Sequence, residues 1–145
     1  MMADTSVQRE VENWVRDQWL PEKFGQPFHK RKCKLVSGGD FEFDAVSQDS
    51  KIVALISTSH YKTARGKHGS GKVQKIRADI NFLQQAQADQ HILLLTEQDM
   101  LEFFQKERAK GRVPQSIHIS LVSLPESLSA SLNQARDEAS REVSP

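Results

Sequence analysis

From Gly66 to Val73 the chain reads GKHGSGKV, one residue short of G-x-x-x-x-G-K-[ST], the loop whose backbone N–H groups and lysine cradle nucleotide phosphates. Val73 stands where that loop needs a hydroxyl for Mg²⁺, and no strand nearby ends in the aspartate that would complete the metal site. Such a loop must also join a strand end directly to a helix N-terminus, whereas seven residues, His60 to Gly66, follow the preceding apolar run. Nucleotide binding is therefore not expected. What survives is a basic cluster in which His60, Lys62, Arg65, Lys67, His68, Lys72, Lys75 and Arg77 surround glycines that let the backbone approach an anion. Repeated phosphates are the matching anion, and nucleic acid presents them.

The charge distribution points the same way. The formal net charge of +1 hides a middle, Phe28 to Ala78, with eleven Lys or Arg against four acids, while the rest carries nine against fifteen. No acid occurs between Ser50 and Ala78, which reads as the electrostatic footprint of an anionic partner. Other chemistry is thin. Five histidines at 29, 60, 68, 91 and 118 lack zinc spacing, and the lone Cys33 has no partner for a disulfide or metal cluster, so a buried thiol is expected. Ser57, Thr58 and Ser59 before His60 do not make a nucleophile and base, because adjacent strand side chains point to opposite faces. Trp14, Trp19, Phe103 and Phe104 sit at helical spacing and read as core; Tyr61, beside the basic loop, is the aromatic placed to stack on a base.

The elements that must position these groups follow from periodicity. Val7, Val11, Trp14, Val15 and Trp19 predict a first helix over about 6–20, ended by Pro21. FHKRKCKLV, a turn at SGGD, and FEFDAVS predict a hairpin, and the β-branched run KIVALISTS predicts a buried third strand. After the glycine loop, Val73, Ile76, Ile80 and Leu83 mark a second helix; HILLLT reads as a strand, EQDMLEFFQKERAKG as a helix ended by Gly111, and SIHISLVSL as a last strand. Residues 1–124 then form one α/β domain with a mixed central sheet flanked by helices, and 125–145 a polar C-terminal tail, a marginal helix or disordered. With 37% hydrophobic residues the chain can bury one core, and no run reaches the ~20 apolar residues of a membrane span. The N-terminus lacks a signal-peptide core, so a cytoplasmic location with no membrane partner is expected.

Read together, the α-β-β-β-α-β order and the segment FEFDAVSQDSKIVALISTS resemble the PD-(D/E)XK nuclease superfamily, the restriction-endonuclease-like fold. The resemblance spans about residues 6–123 and implies DNA as the partner and Mg²⁺ as the cofactor of an active member. It places the metal-binding aspartate at Asp44 and the helix acid at Glu12, with Glu10 the poorer candidate. The third strand departs from the pattern: where the family keeps acid-x-Lys, this chain has Leu55 and Ser57, losing an oxygen ligand and the charge that helps generate the nucleophile. Three readings follow. The domain binds nucleic acid with a degraded site; or it is a metal-dependent nuclease whose missing lysine or acid has migrated to the second helix, as Lys72, Lys75 or Asp79; or it is a protein-interaction or regulatory subunit, as a homodimer or with a partner protein.

Overall fold

The computed structural model describes residues 5–62 and 70–143. Helical structure begins with α1, Ser6–Trp14, and does not stop at Pro21 as expected: a π-turn, Val15–Trp19, leads into α2, Leu20–Phe24. Proline breaks a helix by lacking an N–H and crowding the carbonyl four residues back. Here it falls in the first turn of α2, just after the π-turn in which the Leu20 N–H reaches five residues back to Val15 O. The wider turn also keeps Val11, Val15 and Leu20 on one fully buried face. Gly25, at φ 70°, then ends the helix in the left-handed conformation that glycine adopts without strain.

Five strands form one sheet in the order β1-β2-β3-β4-β5: β1 Phe28–Lys34, β2 Asp40–Ser47, β3 Ile52–Ser57, β4 Gln90–Leu95 and β5 Ile117–Leu121. The first three are joined by tight turns and pair antiparallel, whereas β3, β4 and β5 pair in parallel. Parallel neighbours need crossovers, supplied by α3, Ser70–Gln85, and α4, Gln98–Ala109.

Helices cover both faces, so β3 is apolar on both sides. Val53 and Leu55 join the core beneath α3 and α4, with Ile76, Leu83, Met100 and Phe104. Ile52 and Ala54 join the opposite core with Val11, Val15 and Leu20. That second core is completed by α5, Glu126–Val143, the segment expected as a tail. Its leucines are sparse, yet Leu128 and Leu132 lie one turn apart, and Leu132 is 1% exposed. The protein is thus a single α/β domain with a five-stranded mixed sheet between helical layers. Among the described residues no helix is long and apolar enough to cross a membrane.

Candidate functional site

The site is built where β2 and β3 part. Their pairing is confined to Ala45 with Ala54 and Val46 with Val53. On its other edge β2 slips register against β1: His29 faces Val46 and Arg31 faces Phe43, so Lys30 alone stands opposite both Asp44 and Ala45. A bulge of this kind re-aims side chains and adds twist. The Asp44 carboxylate consequently replaces the ladder, its Oδ2 accepting the Ile56 N–H at 2.8 Å. Arg16 donates to the Asp44 carbonyl at 3.3 Å.

The fork opens into a cleft of about 230 Å³ that gathers Glu12 from α1, Asp44 from β2, Ser57, Thr58 and Ser59 from the end of β3, and Lys72, Lys75 and Asp79 from α3. The α3 spacing of three and four residues puts its three polar groups on one flank, beside the buried row Val73, Ile76, Ile80 and Leu83. Sequence separation of more than sixty residues between Glu12 and Asp79 therefore closes to one wall-to-wall cavity.

Its electrostatics are strained. Burial, the Asp44 charge and a hydrogen bond with Asp44 together push Glu12 up to about 7. Burial also raises the Asp79 carboxyl, an effect opposed by Lys75, whose Nζ lies 3.5 Å away, and reinforced by Asp44. Two carboxylates sharing one proton are a site that a cation would relieve. Among the described residues no group of three His, Cys, Asp or Glu is arranged to hold a metal. Glu12 and Asp44 nevertheless suit Mg²⁺, a hard ion commonly held by one or two carboxylates with water and substrate phosphate completing its shell.

The structure redistributes the remaining expected residues. Glu10 is exposed, outside the cleft. Leu55 is not a wall of the site but sits at 3% exposure in the core beneath α3; Ile56 and Ser57 line the cleft instead. Arg77, expected to bind nucleic acid, turns to the other flank of α3, pairs with the buried Glu107 and lies over the Phe104 ring. Tyr61, expected to stack on a base, is stacked on Phe103 with centroids 4.6 Å apart. Lys62 is exposed, and its backbone N–H donates to Asp99. Arg65, Lys67 and His68 lie outside the described residues. Cys33 is half-buried, and burial raises its thiol pKa.

His60 belongs to a second polar cluster that sequence reasoning missed. Its Nδ1 lies 3.2 Å from Asp99 and its Nε2 3.1 Å from Glu97. Asp99 also accepts the N–H groups of Tyr61 and Lys62 at 3.0 and 3.2 Å. Arg136, from α5, pairs with Glu97 at 2.9 Å, approaches His60 Nε2 at 3.1 Å and donates to the Thr58 carbonyl. Partners 37 to 78 residues apart leave no local signal, and one of them, Arg136, lies in a segment read as a tail. No family model, curated protein or solved structure matches this chain.

Proposed function

We propose that the protein acts on nucleic acid as a restriction-endonuclease-like domain, hydrolysing a phosphodiester bond at the fork cleft with Mg²⁺ as cofactor. The observation that carries the reading is the meeting of Glu12 and Asp44 with Lys72, Lys75 and Asp79 around one cavity, which returns an acid and lysines to a site whose third strand has neither. Asp44 and Glu12 would hold the metal, which when bound lowers the pKa of water and stabilises charge on the phosphoryl oxygens. Lys75 is engaged with Asp79, so Lys72 is assigned to the phosphate or the attacking water. The hydroxyls of Ser57, Thr58 and Ser59 offer neutral donors to the same phosphate. DNA is the favoured nucleic acid through the family resemblance.

A second reading, binding without cleavage, rests on β3 itself, where Leu55, Ile56 and Ser57 supply no carboxylate or amine. One experiment separates the two: purified protein is incubated with supercoiled plasmid and Mg²⁺ or Mn²⁺. Nicking that EDTA stops, and that Asp44→Asn and Lys72→Ala each abolish, is the expected result. Retarded plasmid with no nicking at any metal concentration selects the binding module; neither retardation nor nicking rejects both.

A further inference from the structure

We infer that α3 is crossed by its polyanionic partner, which continues from the cleft to a second basic surface at the C-terminal end of α4; this rests on the nucleic-acid reading above. Three observations converge. Lys72 and Lys75 mark the cleft flank of α3, while Arg77 marks the opposite flank. Between them the solvent-facing row consists of Gly71, Gln74 and Ala78, all exposed and uncharged; the helix's single acid, Asp79, is 9% exposed on the cleft side. A phosphate chain laid over that row meets no like charge.

Beyond Arg77 the surface becomes basic again. Glu107, 3% exposed, is approached by three cations at once: Arg77, Arg112 at 3.3 Å and Lys110 at 3.9 Å. One carboxylate neutralises one of them, leaving an excess of two positive charges. Lys110 and Arg112 remain 59% and 60% exposed while tethered, so they are held near their binding positions and lose less freedom on meeting a phosphate. Cations in a last helical turn also favour the helix dipole, but that needs no shared buried carboxylate and no arginine from a neighbouring helix.

The spacing sets the partner's size. A helix with its side chains is about 10 Å across, roughly three base-pair rises of 3.4 Å, so the partner is a polymer rather than a nucleotide.

The test measures affinity against salt for a duplex of about 20 base pairs and for a dinucleotide. Lys110→Gln with Arg112→Gln, leaving Arg77 in place, is expected to weaken duplex binding and lower the salt slope by about two, as each phosphate contact contributes roughly 0.9. Dinucleotide binding and cleft chemistry should be unchanged. A second variant, Gln74→Glu with Ala78→Glu, breaks no existing bond and should weaken the duplex alone. Wild-type binding with an unchanged slope in both variants overturns the crossing while sparing the cleft. No wild-type binding overturns the nucleic-acid reading itself.

Discussion

Two acid pairs near the C-terminal end of β3 have opposite fates. Glu97 and Asp99 are surrounded by donors: burial works to raise Asp99, yet the N–H groups of Lys62 and Tyr61 and the His60 ring outweigh it and hold the carboxyl below its ordinary range. Asp44 accepts the Ile56 N–H, but at Glu12 burial and the Asp44 charge outweigh Lys30 and Arg16, and the carboxyl is driven upward. One pair is satisfied throughout; in the other, Asp44 ties β2 to β3 while Glu12 beside it meets repulsion. The difference teaches which acids are fully satisfied by the fold and which one, Glu12, is not, something neither exposure nor charge alone would reveal.

The largest effect that tests this contrast is Arg136→Ala. It leaves the Thr58 carbonyl without this donor and Glu97, 12% exposed, with only His60 and Thr96, and should cost about 2 kcal/mol in urea unfolding, within the range for losing hydrogen bonds to a charged group. A loss below about 1 kcal/mol would show that the satisfied cluster is decorative.

Glu12→Gln should act in the reverse direction. Glu12 is raised from 4.5 to about 7, so between those values the folded state keeps a proton that the unfolded state has released. The stabilisation is full below pH 4.5, is lost as pH rises to about 7, and the curve is then flat. The variant should lack that fall, and at pH 8 it should exceed the wild type by about 1 kcal/mol once solvent screening is allowed for, while losing any nicking activity. Equal pH profiles for the two proteins would remove the stored repulsion from the account.

Smallest is Lys75→Ala. An exposed cation paired along a helix contributes about 0.3–0.5 kcal/mol, so thermal unfolding should barely move, yet removing its charge should raise Asp79 further and weaken nucleic-acid binding. A large stability loss would move Lys75 to the satisfied class.

Local patterns carried most of the fold. The β-branched run of β3, the glycine turn before β2 and the period of α3 each announce themselves within a dozen residues, whereas Glu12, Asp44 and Lys72 as catalytic candidates came only from the family resemblance. Whatever depends on distant residues was silent. The π-turn that precedes Pro21 keeps Leu20 on the buried face with Val11 and Val15, and α5 is held through Leu128 and Leu132 against a core laid down a hundred residues earlier. Arg77 and Lys75 are equivalent in sequence, two positions apart, yet helical geometry sends one to Glu107 and the other to the cleft. His60 reads as part of a basic loop until Glu97, Asp99 and Arg136 arrive from elsewhere.

The bulge at Asp44 has an evolutionary consequence. Because this carboxylate holds β3 in place of a ladder bond, selection for folding alone is enough to retain it, whether or not any phosphate is ever cleaved. Leu55 serves the fold in another way, packed at 3% exposure in the core beneath α3, while Ser57 lines the cleft. The residues whose persistence would report on the proposed activity are those the fold does not need: Lys72, and above all Glu12, whose burial beside Asp44 costs stability. Under the nuclease reading, loss of activity among natural variants of this chain should therefore surface first at Glu12 and last at Asp44.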